Sequence, residues 1–532
     1  MCKCMRGISP FALIVGVSCC VSVAAWAEEG SINQAVARCE ALASVDFSGI
    51  QDAPTQILAT RSAQAADQVP AYCEIEGYVA PQVGFELRLP MSQWNGKFLH
   101  VGCGGSCGMI AGTACENSVR RGYACIAGDM GHKGAFSDSL WSYNNLQAEF
   151  DFGVRATHVT ALAGKAIAAY FYGQALGPAY FAGCSNGGLQ AMTEAQRFPW
   201  DFAGIIAGAP GLNETGYYLD MLWDVMALTG KKGKSLLTPA DLQFVHETVI
   251  AQCDMGDGIK DGIIGDPRDC KFQPATLICK SGQKLRCLTV EQAEAVQKIY
   301  DGPVTSDGRR IAPGGASVGS ELNWIDAFIG QKGNLPWYTM QGIGDMFRYR
   351  AFWPDPAPTW EPANFNFDRD YKRLGMMESL YTGANPDLRK FKAAGGKLIM
   401  YQGWSDPLSL PLETIDYFDT MERTMGGHAV ALDFARLFMV PGMNHCSGGE
   451  GPFAIDYLSY LEAWVEKGRP PDAMIGAHVA GLRGSEAYAL KFPLDSSISI
   501  AGRRPIYPYP AKTMYKGSGD ARQAENWKAV EP

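Results

Sequence analysis

The chain has 532 residues, of which 47% are hydrophobic and 11% are aromatic, and its formal net charge is −9. This length is enough to bury a large core and predicts more than one structural unit. The negative charge argues against nucleic acid and against an anionic membrane surface as the main partner. Beyond the amino terminus, no stretch approaches the roughly 20 consecutive apolar residues that a membrane span needs.

The amino terminus has the pattern of a secretory signal peptide. Lys3 and Arg6 precede an apolar run over residues 11–25, and Ala-Trp-Ala at 25–27 fits a small-residue cleavage site before Glu28. The run is too short, and wrongly flanked, for a transmembrane helix. We therefore predict a signal peptide at residues 1–27 and a soluble mature chain that is secreted or periplasmic.

The cysteine content predicts disulfides. The sequence has 16 cysteines, and those outside the predicted signal peptide are even in number, which favours pairing in an exported chain. Zinc is the alternative for the dense group Cys103, Cys107, Cys115 and Cys125, but no histidine stands beside it at ligand spacing. The pairing within this group stays open. The other cysteines assigned to disulfides at this point are Cys253 with Cys270, Cys279 with Cys287, and Cys39 and Cys73.

Strands alternate with helices along the first half of the mature chain. Buried strands are predicted at the apolar segments 97–101, 123–127, 179–182 and 202–207. The segment 152–172 has the period of a helix. This alternation is typical of a mostly parallel sheet covered on both faces. The glycine-rich residues 102–108 either direct backbone N–H groups into a cavity, as an oxyanion loop must, or form a flexible turn pinned by disulfides.

Residues 183–188, Gly-Cys-Ser-Asn-Gly-Gly, carry the pattern G-x-S-x-G between a predicted strand and a predicted helix. In a nucleophile elbow of this kind the serine backbone is strained and its hydroxyl points away from the sheet, while the flanking glycines avoid clashes across the turn. A glycine-rich connection without a catalytic role is the alternative. We predict that Ser185 is a nucleophile.

A serine hydroxyl needs a histidine to accept its proton and a carboxylate to orient that histidine. On an α/β-hydrolase sheet the three residues follow in the order Ser, Asp or Glu, His. His445 follows the apolar segment 437–440 in a glycine-bounded loop, and Asp406 follows the apolar segment 397–402. We predict them as base and acid. The weaker candidates, in helix-like or loop segments, are His246 and His428 for the base and Asp416 and Asp433 for the acid.

Cysteines stand directly beside two of these residues. Cys184 precedes Ser185, and Cys446 follows His445. If the serine and the histidine meet in a triad, their cysteine neighbours come near disulfide distance. A bridge at this point would limit drift of the base from its nucleophile.

Three motifs together resemble the tannase and feruloyl esterase family: residues 183–188, Gly-Trp-Ser-Asp at 403–406, and Pro-Gly-Met-Asn-His-Cys at 441–446. Asp-Met-Gly-His at 129–132 and the segment 152–158 are also similar to the family. The resemblance covers most of the mature chain. It implies an α/β-hydrolase fold, a triad of Ser185, Asp406 and His445, and a disulfide between Cys184 and Cys446.

The resemblance further implies an oxyanion hole formed by the N–H of Asn186 and that of Gly104 or Gly105, and a lid inserted into the fold. More residues lie between the predicted strands near 206 and 398 than a single crossover needs, which leaves room for a lid. The expected organisation is a first core segment at 28–211, a lid at 212–385 and a second core segment at 386–532.

An aspartate-rich loop lies within the predicted lid, between Cys253 and Cys270. Asp254, Asp257 and Asp261 are spaced by glycines and offer hard oxygen ligands, although the spacing is not that of an EF-hand. A solvated acidic turn is the alternative. The resemblance implies a structural calcium ion, held by these three carboxylates and by the carbonyls of Ile259 and Ile263, and no organic cofactor.

Members of the resembled family act on esters of aromatic acids. The implied substrates are feruloyl or other hydroxycinnamoyl esters and galloyl esters, with mono(2-hydroxyethyl) terephthalate as the alternative. Trp337, Arg348 and Trp353 of the predicted lid are assigned to substrate binding, against the alternative that such residues form the lid's own core. A non-catalytic binding protein on a hydrolase scaffold and a peptidase are the other functional classes to be weighed.

Overall fold

The computed structural model describes residues 32–66, 68–230, 234–283, 285–330, 342–351, 357–482, 486–487 and 489–531. The predicted signal peptide and two of the residues assigned to substrate, Trp337 and Trp353, lie outside these ranges.

A nine-stranded sheet organises the molecule, in the order β1-β2-β3-β5-β4-β6-β7-β8-β9. The pairs β1–β2, β2–β3 and β3–β5 are antiparallel, and every pair from β5 across to β9 is parallel. The strands are β1 Thr55–Ala63, β2 Tyr72–Val79, β3 Val83–Pro90, β4 Phe98–Val101, β5 Ala124–Gly128, β6 Ala179–Cys184, β7 Gly204–Gly208, β8 Lys397–Gly403 and β9 Ala435–Val440. This topology agrees with the predicted α/β-hydrolase fold.

Helices cover both faces of the parallel strands, which explains why β5, β7 and β9 are buried along their whole length. Neighbouring residues of β6 point to opposite faces: Phe181 packs into the main core, and Tyr180 packs into a second layer with Leu461 and Trp464. The helices of the core are α1 at 32–41, α2 Glu116–Arg120, α3 Leu146–Phe150, α4 Ala156–Tyr172, α5 Asn186–Arg197, α11 Arg389–Ala393, α12 Pro411–Met425, α13 His428–Leu432 and α14 Tyr457–Lys467.

The long connection between β7 and β8 builds a hydrophobic cluster of its own, which includes Leu222, Val245, Trp324 and Phe347. The two ends of this connection lie side by side, because the N–H of Gly383 donates to the carbonyl of Leu212 at 2.8 Å. Its helices are α6 Glu214–Leu228, α7 Pro239–Cys253, α8 Val290–Asp301, α9 at 342–345 and α10 Gly375–Leu380. We call this connection the insertion; its predicted limits, 212 and 385, stay a prediction.

Two small antiparallel sheets complete the carboxyl-terminal part. They pair β10 Met474–Val479 with β11 Ile500–Ile506, and β12 Lys512–Tyr515 with β13 Trp527–Val530. Within the described residues, no helix has the length and apolar character needed to cross a membrane.

Six disulfides join twelve cysteines, as the cysteine content predicts. The dense amino-terminal group is resolved into Cys103–Cys107 and Cys115–Cys125. The other four bridges are Cys39–Cys73, Cys184–Cys446, Cys253–Cys270 and Cys279–Cys287.

Candidate active site

The predicted nucleophile lies in a sharp turn between β6 and α5. Ser185 has φ 63° and ψ −122°, a conformation that residues with a side chain rarely adopt. Only glycine fits on either side: a Cβ on Gly183 would lie 2.4 Å from the carbonyl oxygen of Gly187, and one on Gly188 would lie 2.4 Å from that of Gly208. Strain of this kind, at the carboxyl end of a central strand, is typical of a nucleophile elbow.

The predicted acid and base are hydrogen-bonded to each other. Asp406 is fully buried, and its Oδ2 lies 2.8 Å from Nδ1 of His445. Three further donors fix the carboxylate: the N–H groups of Leu408 (2.8 Å) and Ser409 (3.1 Å) on Oδ1, and Nε2 of Gln402 (3.0 Å) on Oδ2. An imidazole that donates from Nδ1 to a carboxylate keeps Nε2 free to accept a proton.

The loops that carry these two residues interlock. A Cβ on Gly403, at the end of β8, would lie 2.2 Å from the carbonyl oxygen of Met443, so that only glycine permits this approach. The N–H of Trp404 donates to the carbonyl of Val440 at 3.0 Å, and the N–H of Ser405 donates to that of Met443 at 3.0 Å. The acid turn is therefore bound directly to the histidine loop.

A disulfide brings the histidine loop to the serine. Cys184 and Cys446, separated by 262 residues, are bridged with a Cα–Cα distance of 5.8 Å. Because each cysteine adjoins one of the predicted catalytic residues, the bridge sets Ser185 beside His445. The structure thus places the three predicted triad residues at the carboxyl ends of β6, β8 and β9, with Asp406 hydrogen-bonded to His445 and the serine and histidine loops bridged.

The glycine-rich loop after β4 lies against the elbow. The N–H of Cys103 donates to Oε1 of Gln190 at 3.4 Å, and Asn186 donates from Nδ2 to the carbonyl of Gly105 at 2.8 Å. Within the described part of the chain, the N–H groups of Gly104 and Gly105 find no acceptor, although those of Ser106 and Cys107 do. Two free N–H groups beside a nucleophile can hold an oxyanion.

The family model described as "Tannase and feruloyl esterase" matches residues 67–530 of the chain. The chain belongs to this family. The resemblance predicted from three short motifs is confirmed, and so is the enzyme class, a carboxylic ester hydrolase.

Two relatives and one solved structure are similar to this protein along nearly its whole chain. Mono(2-hydroxyethyl) terephthalate hydrolase from Piscinibacter sakaiensis is 32% identical over an alignment that covers 89% of this chain and 87% of that protein. A probable feruloyl esterase B-2 from Aspergillus terreus is 29% identical, over 90% of this chain and 89% of that protein. The crystal structure of feruloyl esterase B from Aspergillus oryzae superposes with a TM-score of 0.79 at 26% identity, over 93% of this chain and 99% of that one. The predicted fold class is confirmed.

Among the predicted substrate contacts, Arg348 is held within the insertion. Its guanidinium donates to Asp345 at 2.9 Å, to Glu361 at 3.2 Å and to the carbonyl of Trp360 at 2.7 Å. These contacts are all with the insertion itself, and the assignment of Arg348 to substrate binding stays a prediction. Trp337 and Trp353 lie outside the described residues.

In the aspartate-rich loop Asp254 and Asp257 are buried, and a guanidinium from β11 lies against the carboxylates. Asp254 accepts hydrogen bonds from the N–H of Gly262 at 3.1 Å and from that of Asp261 at 3.3 Å. The guanidinium of Arg504 contacts Asp257 at 3.2 Å and also bonds Asp261. Burial raises the pKa of Asp257 to about 6, against the opposing effect of Arg504, and burial likewise raises the pKa of Asp261. A hard cation suits such a donor set, but it would share these carboxylates with Arg504.

A second group of possible ligands was missed by sequence reasoning. His158, Glu194 and Asp201 place one potential ligand atom each within 4.8 Å of one another, and no metal is identified there. His158 and Asp201 are hydrogen-bonded, and Lys165 donates to the carbonyl of Asp201 at 2.7 Å. These contacts describe an imidazole–carboxylate–ammonium network at the far end of α5 from Ser185. The residues come from α4, α5 and the connection between α5 and β7, so no local motif marks them.

Proposed function

We propose that this protein hydrolyses esters of aromatic carboxylic acids through an acyl-enzyme on Ser185. The observation that carries the proposal is the pairing of a strained serine turn with a buried imidazole–carboxylate pair across the Cys184–Cys446 disulfide. A strained serine turn suits a nucleophile, and a buried imidazole–carboxylate pair suits a general base with its orienting acid. A disulfide between the two keeps the base close to the nucleophile.

The chemistry follows from the geometry. His445 accepts the serine proton at Nε2 while Oγ of Ser185 attacks the ester carbonyl, and Asp406 stabilises the imidazolium through Nδ1. The N–H groups of Asn186 and of Gly104 or Gly105 bind the oxyanion, and each such donor lowers the barrier by about 3 kcal/mol. His445 then protonates the leaving alcohol, and water repeats the attack on the acyl-enzyme.

The substrate class rests on the family and its relatives. Feruloyl and other hydroxycinnamoyl esters, or galloyl esters, are the proposed substrates. Mono(2-hydroxyethyl) terephthalate is the second candidate, because the bacterial hydrolase of that ester is 32% identical over 89% of this chain. All of these carry an aromatic acid on a small alcohol, and they differ in the polar groups on the ring.

We also propose that residues 212–385 act as a lid over the site and that residues 1–27 direct export. The insertion's separate hydrophobic cluster and the closeness of its two ends support the first proposal. Six disulfides support an oxidising compartment, and hence a secreted or periplasmic location.

For the aspartate-rich loop we propose a structural calcium ion. Asp254, Asp257 and Asp261 would hold it with the carbonyls of Ile259 and Ile263, and Arg504 would remain at the edge of the carboxylate set. The buried carboxylates support this, since a divalent cation offsets the cost of ionising them.

The test is hydrolysis of four esters by the wild type and by Ser185→Ala: methyl ferulate, methyl gallate, mono(2-hydroxyethyl) terephthalate and p-nitrophenyl acetate. We expect turnover of at least one aromatic ester and its loss in the variant. Turnover that survives in Ser185→Ala, or a wild type inactive on all four esters, would contradict the proposal.

A further inference from the structure

Arg350 belongs to the insertion, but its guanidinium lies in the core. The backbone segment Met346–Ala351 packs with the insertion's own hydrophobic cluster. The guanidinium carbon lies 4.4 Å from the ring centroid of Phe152, 4.6 Å from that of Tyr381 and 5.1 Å from that of Trp141. All three rings pack in the main core. The side chain of Arg350 therefore passes from the insertion's hydrophobic cluster into the main core, and it is fully buried.

Glu214 balances the charge of Arg350, while Nε and Nη1 of the guanidinium face the rings and have no hydrogen-bond partner among the described residues. Nη2 lies 2.8 Å from Oε2 of Glu214, at the start of α6. Glu149, at the end of α3, is fully buried and neither of its carboxyl oxygens has a hydrogen-bond partner among the described residues. Burial raises the pKa of Glu149 to about 8, although Arg350 opposes this shift. Removing the charge of an arginine from water costs free energy, and here the ion pair with Glu214 and the three aromatic rings offset that cost.

The aromatic wall under Arg350 continues to the glycine-rich loop. Trp141 stacks on His132, with ring centroids 3.8 Å apart and 14° between the planes. His132 in turn packs against residues 102–108: a Cβ on Gly108 would lie 3.0 Å from Cδ2 of that ring. The ring also lies beside the backbone of Ser106. Contacts therefore run without a break from Arg350 through Trp141 and His132 to the loop that carries Gly104 and Gly105.

We propose that Arg350 is a positioning residue: it clamps the insertion onto the core and, through Trp141 and His132, holds the oxyanion loop in its working conformation. The inference rests on the proposed function, because the oxyanion role of the loop belongs to that proposal. Among the described residues, no hydrogen bond, ion pair or ring contact joins Arg350 or Trp141 to Ser185 or His445, so the effect passes through the loop.

The first test compares Arg350→Met with Arg286→Met. Methionine keeps much of the volume and removes the charge, and Arg286 is a suitable control because its ion pair, with Glu247 at 3.0 Å, lies within the insertion. We expect Arg350→Met to lower kcat on p-nitrophenyl acetate about 10- to 100-fold with KM changed much less, and Arg350→Lys to recover part of the loss. Arg286→Met should keep kcat within about twofold.

The second measurement is the affinity for benzeneboronic acid, which forms a tetrahedral adduct with the serine Oγ and so reports on the oxyanion hole. We expect Arg350→Met to weaken it by about the same factor as kcat/KM, because both depend on transition-state stabilisation. A lower melting temperature with kcat and boronate affinity unchanged in the folded fraction would make Arg350 a purely structural residue and overturn the inference.

Two other variants keep the inference testable if Arg350→Met does not fold. Glu214→Gln removes the ion pair with little change in shape, and Trp141→Leu breaks the stack on His132. We expect both to lower kcat and boronate affinity together, and normal kinetics in both would overturn the inference. Failure of the proposed function is recognised separately, by a wild type that neither turns over an ester nor is labelled at Ser185 by a fluorophosphonate.

Discussion

Two buried carboxyl groups, Asp406 at the edge of the sheet and Glu149 at the contact between core and insertion, have opposite surroundings. Asp406 receives four hydrogen bonds, from His445, Gln402 and two backbone N–H groups, and these stabilise a negative charge. Glu149 has no hydrogen-bond partner among the described residues, and burial raises its pKa to about 8. Hydrogen-bond donors around a buried carboxyl group favour its ionised form, whereas burial without donors favours its protonated form.

The largest effect should follow from removing the charge at the sheet edge. Asp406→Asn replaces an acceptor of the imidazole N–H by an amide, which favours the wrong tautomer of His445, and we expect kcat to fall about 10⁴-fold. The measurement is steady-state turnover of an activated ester together with the melting temperature. Asp416→Asn, on the exposed face of α12, is the control and should remain near wild type. A similar loss in both variants would contradict the assignment of Asp406.

The bridge between the serine and histidine loops should come next. Replacing Cys184 and Cys446 by serine removes a cross-link between residues 262 positions apart, and we expect roughly 4 kcal/mol less stability together with a lower kcat. Denaturant unfolding and turnover measure the two effects. The matched control replaces Cys279 and Cys287 by serine. Their disulfide joins residues only 8 positions apart, and its removal should leave kcat unchanged. Equal kinetic effects in the two would rule out a special role for the catalytic bridge.

Calcium removal tests the aspartate-rich loop from Asp254 to Ile263. Chelation with EGTA should lower the stability of the wild type by about 2–3 kcal/mol relative to saturating calcium. Asp257→Asn should abolish this response, while Asp307→Asn, an exposed aspartate elsewhere in the insertion, should retain it. Stability that does not respond to calcium, with no bound metal by mass spectrometry, would mean that Arg504 alone balances the loop.

Glu149→Gln gives the most gradual effect, because it is spread over several pH units. Between its unfolded pKa near 4.5 and its folded pKa of about 8, the folded chain holds a proton that the unfolded chain has released. The free energy of unfolding therefore falls as pH rises through this window, by at most about 1.4 kcal/mol per pH unit from this one group. The glutamine variant should show a shallower decline in unfolding experiments from pH 5 to 8. A variant as pH-dependent as the wild type would show that Glu149 is ionised in the fold.

Much of the site was predictable because its signals are local. Ser185, Asp406 and His445 each follow an apolar strand, and strands of a parallel sheet end at a common edge, so strand position alone places the three residues together. Cys184 and Cys446 are adjacent to two of them, and their pairing follows once those two meet. The six parallel strands could be recognised for the same reason, since buried strands are continuous apolar runs.

Other features depended on the tertiary structure, because they join residues with no common local pattern. The pairing of Cys103 with Cys107 rather than with Cys115 or Cys125 is a matter of backbone distance. Arg348 and Arg350 stand two positions apart, and only the tertiary structure shows that the guanidinium of Arg350 enters the core while that of Arg348 pairs with Asp345 in the insertion. The end of a buried strand can be recognised in the sequence, because an apolar run stops at a turn. The direction of a side chain on the insertion depends on how two separately packed hydrophobic clusters meet, and no local pattern records that.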